Sequence, residues 1–264
     1  MSTLVCFHAH PDDEAIATGG LMAKAAARGH RVVLVCATRG EHGEPVEGVL
    51  IEGELLGDRR SVELAQACKI LGAEPPRFLG YEDSGMVGEA TNTNPNAFWQ
   101  ADHHEAVGRL TAILEEVEAD VLTIYDDHGG YGHPDHIMVH RIGKAAAEVA
   151  SVANVFEATM NRDSIRAFME MAGDDVDLDV DDDEIDVETM GTAEADISYQ
   201  IDSPEFIGLK RESMLAHRSQ IGPDSFFLQM PDEAFELAFG SEWFNVPGAT
   251  NTGGPTAVDL LPGL

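Results

Sequence analysis

The sequence predicts an α/β fold, a Rossmann-like three-layer sandwich on a mostly parallel sheet. Three observations carry that expectation. Strand-like apolar runs alternate with helix-periodic segments through the first half of the chain. One of those runs, Arg31–Ala37 (R-V-V-L-V-C-A), is almost continuously apolar and β-branched, as a strand covered on both faces must be. The strand-like runs are also spaced widely enough for a helix to cross over between parallel neighbours.

Taken in order, Leu4–Phe7 is the first short strand, and Glu14–Arg28 reads as a helix ended by Gly29. Arg31–Ala37 follows as a strand, Asp58–Leu71 as a helix and Arg77–Gly80 as a brief strand. His104–Val117 is helical, Val121–Tyr125 a strand, Pro134–Val149 a helix and Val155–Ala158 a strand. Ser203–Gln220 reads as a further helix, with Ser203 at its cap and Pro204 at its first position. The expected organisation is a single domain over 1–264. It comprises an α/β core at 1–165, an acidic loop at 173–196, a C-terminal strand and helix part at 197–250, and a loose Gly/Pro/Thr-rich tail at 251–264.

Composition narrows the function. A chain of 264 residues that is 44% apolar can bury a sizeable core. Its 48 acids and 16 basic residues give a formal charge of −32. That field repels phosphate backbones and anionic lipid heads, so neither nucleic acid nor membrane is an expected partner. A small molecule is, and a homo-oligomer remains open. Cys6, Cys36 and Cys68 are odd in number and widely spaced, with no C-x-x-C pair. They read as buried, reduced thiols. With no signal-peptide pattern and no long apolar stretch, the expected location is the cytoplasm.

Residues 173–188 hold ten acids and no base, the pattern of a solvated, self-repelling loop. Asp177, Asp179, Asp181, Asp183 and Glu188 also fall on acidic positions of a calcium-loop template. Asp182, however, stands where the sharp turn needs glycine, so the match reads as a by-product of the acid-rich run.

Two segments carry the chemistry, each following a strand and opening a helix. They are H-P-D-D (His10–Asp13) and H-P-D-H (His133–His136). Proline suits the first helical position, and the acids behind it suit the positive end of the helix dipole. Helix capping therefore accounts for the prolines and some of the acids, but not for histidine at the same place twice, nor for His136. A metal accounts for more. Residues three apart share a helical face, so His10 and Asp13 can converge on one ion, with an imidazole of the second motif as third ligand. Two imidazoles and a carboxylate with open positions describe a catalytic Zn2+ or Fe2+ site. Zinc brings the pKa of a bound water to about 7. Asp12 and one of His133 or His136 remain for proton transfer, and spacing alone leaves open which histidine is ligand and which is acid. In doubly wound sheets such sites lie beyond the carboxyl ends of the strands, where both motifs are placed.

A-H-P-D-D-E (Ala9–Glu14) with G-G-Y-G-H-P-D-H (Gly129–His136), and A-H-R-S-Q (Ala216–Gln220) further on, resemble the PIG-L/LmbE-like family of zinc-dependent N-acetylglucosaminyl deacetylases and related amidases. The resemblance implies His10, Asp13 and His136 as metal ligands and Asp12 as general base. It implies His133 as acid and oxyanion stabiliser, oriented by Asp135. Arg60, in R-S-V-E-L, and Asp83, in E-D-S-G-M, match positions that bind sugar hydroxyls. Tyr131 matches a tyrosine that helps polarise the amide carbonyl. Arg60 could equally form a surface salt bridge, and Asp83 a turn.

The implied activity is removal of an acetyl group from an N-acetylglucosamine-type sugar or conjugate. The alternatives are a mycothiol S-conjugate-type amidase and a non-catalytic metal- or sugar-binding relative. A two-metal phosphoesterase would need a second ligand set, for which only His128 and His140 are at hand. His140 reads as supporting or packing the site, His8 as lying outside it, and His103 and His104 as exposed. His217 lines the site, meets another subunit, or sits on a helix surface.

Overall fold

A computed structural model describes residues 1–172 and 187–264; the acidic stretch 173–186, including the calcium-loop positions Asp177 to Asp183, lies outside the described residues. The N-terminal apolar run forms β1 (Thr3–His8), buried along its whole length. It pairs in parallel with β2 (Arg31–Cys36) on one side and β4 (Val121–Tyr125) on the other. β3 (Arg77–Phe78) adds to β2, and β5 (Asn154–Thr159) to β4, again in parallel. The crossovers carry α1 (Asp13–Ala17), α2 (Gly19–Ala27), α3 (Leu56–Leu71), α4 (His103–Glu116), the short kinked α5 (Gly129–Gly132) and α6 (Pro134–Ala150).

Beyond α7 (Arg162–Ala172), the chain returns as β6 (Tyr199–Asp202), α8 (Ile207–Ala216), α9 (Phe226–Gln229), α10 (Asp232–Phe239), β7 (Ser241–Asn245) and β8 (Thr256–Val258). The sheet order is β3-β2-β1-β4-β5-β7-β6-β8, with β7 antiparallel to both its neighbours. The predicted α/β class with a mostly parallel sheet is therefore the observed one.

The strand order places the site. The chain winds outward from β1 to β3, then returns to lay β4 on the other side of β1. Crossover loops at this reversal diverge, opening a crevice beyond the carboxyl ends of β1 and β4. Both H-P-D segments begin there. Below the crevice, Leu4, Phe7, Leu34, Leu110, Ile124 and Phe244 belong to one continuous apolar core. Cys6, Cys36 and Cys68 are all buried and free, and burial pushes the Cys6 thiol up to about 12. Among the described residues no helix is long and apolar enough to cross a membrane.

Three local expectations need correction. The helix expected over Glu14–Arg28 is broken at Thr18, whose φ of −139° leaves the helix while its hydroxyl meets His8 Nε2 at 2.9 Å. The helix expected over Ser203–Gln220 begins as a 3-10 turn, Pro204–Phe206, without a Ser203 side-chain cap. Its α-helical part stops at Ala216, leaving His217–Gln220 in a turn. The tail 251–264, expected to be loose, contributes β8, paired in parallel with β6, and buries Leu261 to 1% exposure.

A buried ion pair joins the two ends of the chain. Glu242 on β7 accepts the amides of Gly20 (2.6 Å) and Leu21 (2.8 Å), which open α2, and Lys210 Nζ at 2.6 Å. Side chains of both charged residues are at most 2% exposed. Removing one partner of such a pair leaves an uncompensated charge. Glu242→Ala is expected to lower the unfolding free energy by about 3–5 kcal/mol in chemical denaturation. The double variant with Lys210→Met should recover part of that loss.

Candidate metal centre

The first H-P-D segment turns sharply. β1 ends at His8, and α1 starts at Asp13 after Asp12 adopts φ 109° and ψ −30°. Such a positive φ costs a non-glycine residue about 1–3 kcal/mol and persists only where its surroundings hold it. Two contacts do so: the Asp12 amide donates to Glu14 Oε2 (3.0 Å), and Arg60 Nη2 donates to Asp12 Oδ2 (3.2 Å). The turn delivers His10 and Asp13 inward, and the His10 amide donates to Asp13 Oδ2 at 2.8 Å.

The second segment uses capping. His133 is the N-cap of α6, its Nδ1 accepting the Asp135 amide at 3.1 Å, and Pro134 holds the first position. Gly129 shapes the loop before it. Its φ is +70°, and a Cβ there would lie 2.6 Å from the His136 Cβ.

The two segments meet. The ring centroids of His10 and His133 lie 4.6 Å apart, and those of His133 and His136 5.2 Å. One ligand nitrogen from each of His10, His133 and His136 falls within 4.8 Å of the others, and His10, Asp83 and Asp135 form a second such group. Asp13 bridges, with Oδ2 3.5 Å from His10 Nδ1 and Oδ1 3.4 Å from His136 Nε2. His10 Nε2 meanwhile faces Asp135 (3.2 Å) and Asp83 (3.5 Å).

The charges explain the protonation. Burial disfavours a charged His10, yet its hydrogen bonds to the accepting carboxylates of Asp13, Asp135 and Asp83 overcome it and raise His10 well above its ordinary value. Burial alone would raise Asp13, but His136 and His10 bring it well below the usual carboxylate range. His133 has the opposite setting. Burial and the nearby imidazoles of His10 and His136 push it down to about 3, so at neutral pH it is a neutral ring. Because its Nδ1 accepts the Asp135 amide, the proton sits on Nε2. Burial also raises Asp12, only partly offset by Arg60, making it the more basic carboxylate of the first motif. Three buried carboxylates around one imidazole form an anionic pocket, and the donor set fits a divalent cation.

The predicted residues gather unevenly. Asp135 is fully buried but does not orient His133 with its carboxylate; that group accepts the Ser84 amide (2.9 Å) and the Ser84 hydroxyl, and only its backbone N–H reaches His133. Arg60 is neither a surface salt bridge nor an open wall. At 4% exposure its guanidinium donates to Gly40 O (2.9 Å), Pro11 O (2.6 Å) and Asp12. Asp83 accepts the amides of His42 and Gly85 beside His10. Tyr131 stands 46% exposed, its hydroxyl 3.4 Å from His136 Nε2. His8 lies beneath the site, bonded to the Tyr125 hydroxyl at 2.7 Å and to Thr18, while His103 and His104 are exposed.

His217 is neither on a helix surface nor in the pocket; it is fully buried against Glu14. The sequence by itself does not single out Ser84 or Glu14. Ser84 sits inside E-D-S-G-M beside Asp83, whereas Glu14 looks like any acid in a first helical turn.

Fold and site together are those of an α/β enzyme with a buried pocket of imidazoles and carboxylates that could hold a metal ion. Residues 5–147 match the profile of the PIG-L family, described as GlcNAc-PI de-N-acetylase, and the chain belongs to that family. Over 257 residues it is 39% identical to the 1D-myo-inositol 2-acetamido-2-deoxy-α-D-glucopyranoside deacetylase of Acidothermus cellulolyticus, covering 92% of this chain and 87% of that one. The N,N'-diacetylchitobiose deacetylase of Pyrococcus horikoshii shares the fold, with a TM-score of 0.59 and 20% identity over 94% of this chain and 84% of that one. So does the 4-carboxy-2-hydroxymuconate hydratase GalB of Pseudomonas putida, with a TM-score of 0.57 and 16% identity over 96% and 99%. Architecture alone thus accommodates more than one reaction, and the activity rests on the site.

Behind the site, Asp126, Asp127, His128, His140, Lys144 and Glu157 line a separate cavity of about 410 Å³. His128 faces this cavity. Glu157 is 8% exposed, and burial, against the opposing effect of Lys144, raises it from 4.5 to about 7. A carboxyl with a raised folded pKa contributes stability that is present below pH 4.5 and lost as pH rises through about 7. Glu157→Gln should therefore raise the thermal midpoint relative to wild type at pH 8 by an amount worth about 1–3 kcal/mol, and have little effect at pH 4.5. Thermal melts at both pH values check the sign.

Proposed function

We propose that this protein hydrolyses the acetamide of an N-acetylglucosamine-type sugar, releasing acetate and the free amine, with Zn2+ or Fe2+ held by His10, Asp13 and His136. The observation that carries this is the convergence of the three motif imidazoles, two of which meet Asp13, with Asp12, the first-motif carboxylate whose pKa is raised, next to it in the chain. When bound, the ion would supply a Lewis acid for the acetyl carbonyl and acidify the attacking water.

The remaining chemistry belongs to side chains. Asp12 takes the water proton as the oxygen attacks the acetyl carbon, and Arg60 holds its carboxylate in place. His133, a neutral ring, donates its Nε2–H to the oxygen on which negative charge develops. As the C–N bond breaks, the proton that Asp12 took from the water passes to the leaving nitrogen, which returns Asp12 to its carboxylate and releases acetate and the free amine. Tyr131, on a glycine-flanked turn, orients the carbonyl with its hydroxyl. Asp83 receives a sugar hydroxyl beside His10. Arg60 has its Nη groups on protein acceptors, so its part is to hold the base rather than the sugar.

The substrate class follows from the relatives. The Acidothermus enzyme is named for deacetylating an inositol-linked N-acetylglucosaminide, and it aligns with this chain over nearly its full length. That same compound is the first substrate to test. The name does not favour the S-conjugate amidase alternative. Zinc as the resident ion and a cytoplasmic location belong to the same proposal.

Acetate release from the inositol N-acetylglucosaminide should be measurable with the Zn2+-loaded protein. Asp12→Ala is expected to lower kcat by about 10²–10⁴-fold, the usual worth of a general base, while elemental analysis finds the same metal content. Dialysis against a chelator should abolish turnover, and added Zn2+ should restore it. Full activity in the stripped protein would sink the metal assignment.

A further inference from the structure

The A-H-R-S-Q segment has no part in the chemistry proposed above, yet it sits directly behind the base. α8 ends at Ala216, and the chain turns at once, with the Gln220 and Ile221 amides donating to His217 O at 3.0 and 2.7 Å. This turn holds His217 at 0% exposure, its Nε2 2.6 Å from Glu14 Oε1. Among the described residues the other ring nitrogen, Nδ1, has no hydrogen-bond partner. The imidazole is therefore anchored through Glu14.

Glu14 is itself fully buried, and its second oxygen accepts the Asp12 amide at 3.0 Å. That amide belongs to the residue with φ 109°. A backbone in that region is retained only where neighbouring groups over-determine it.

Ser219, two residues on, ties the same turn to the other side of Asp12. Its amide and hydroxyl donate to Glu63 at 3.1 and 2.6 Å. Glu63 lies one turn along α3 from Arg60, the residue that grips the Asp12 carboxylate. The Ser219 carbonyl accepts the Val46 amide at 2.8 Å, which pins the loop between β2 and α3. One turn at the end of α8 thus braces the Asp12 backbone through Glu14 and, through α3, the helix that presents Arg60.

We propose that His217 is a positioning residue for the base: by donating to Glu14 it keeps that carboxylate aimed at the Asp12 amide, and so holds Asp12 in its left-handed turn. Without the imidazole, Glu14 has one strong partner instead of two and is free to rotate. Asp12 can then relax to negative φ and swing its carboxylate off Arg60. A base misplaced by about an ångström loses on the order of 10²-fold in rate without a matching loss of substrate binding. The assignment of Asp12 as base is that of the proposed function, on which this inference rests.

The test compares His217→Leu with His217→Gln, whose amide can still donate to Glu14, in the metal-loaded full chain. The leucine variant is expected to lose about 10²-fold in kcat, with KM and metal content within twofold of wild type and a thermal midpoint within a few degrees. The glutamine variant should recover most of the rate, which loss of packing alone would not predict. Should the leucine variant fail to fold, His217→Asn, too short to reach Glu14, replaces it.

Nitrogen-15 NMR gives a readout independent of turnover. The Asp12 amide should shift upfield and exchange faster in the leucine variant, and return toward wild type with glutamine. Wild-type protein that releases no acetate would refute the proposed function, while the Asp12 amide would still report on the brace. Unchanged kcat and an unmoved Asp12 amide in folded His217→Leu would overturn the inference. So would a glutamine variant no better than the leucine one, or a rate loss matched by metal loss.

Discussion

Asp13, Asp83 and Asp135 crowd around the single imidazole of His10, and much of the surrounding structure serves to sustain that arrangement. Carboxylates withdrawn from water are costly unless they are paired or hydrogen-bonded. Each of these three is anchored by backbone amides: His10 for Asp13, His42 and Gly85 for Asp83, and Ser84 for Asp135. The amides come from turns rather than from regular strands or helices, so they are free to face inward. The switch point between β1 and β4 supplies the place, because only there do the loops part widely enough to leave such a pocket.

The same constraint separates the roles of residues that look alike. Asp12 and Asp13 are adjacent, yet burial with only partial compensation raises one, while two imidazoles lower the other. A positive φ at Asp12 points the neighbours in different directions, one toward Arg60 and one toward the imidazoles. His133 and His136 differ in what they touch. One caps α6 and is held as a neutral ring; the other sits one turn inward, stacked on Tyr125 at 4.4 Å between centroids and in contact with Asp13. Paired titratable groups whose surroundings push them apart are what acid–base chemistry at neutral pH requires.

The C-terminal part of the chain supports this centre from behind. Glu242 caps α2, Lys210 neutralises it, and His217 and Ser219 reach Glu14 and Glu63. These contacts are polar and buried, and all but the Lys210–Glu242 pair span more than 150 residues of sequence. Precision at Asp12 therefore depends on side chains buried behind it.

Much of this was legible in the sequence where the signal is local. Strand periodicity and the H-P-D repeats determined the α/β class, the strands β1, β2, β4 and β5, the helix starts and the convergence of His10, Asp13, His133 and His136, because alternation, proline and capping act over a few residues. Boundaries failed where a distant partner intervened. Thr18 broke a helix to meet His8, and the tail joined the sheet through β6. Likewise, a lone arginine, a first-turn glutamate and a histidine after a helix carry no mark of what they will face. Only the tertiary structure put Arg60 on Asp12, the Asp135 carboxylate on Ser84 and His217 on Glu14. The physical reason is that a buried polar group takes its meaning from the partner that satisfies it, and here that partner lies tens to hundreds of residues away.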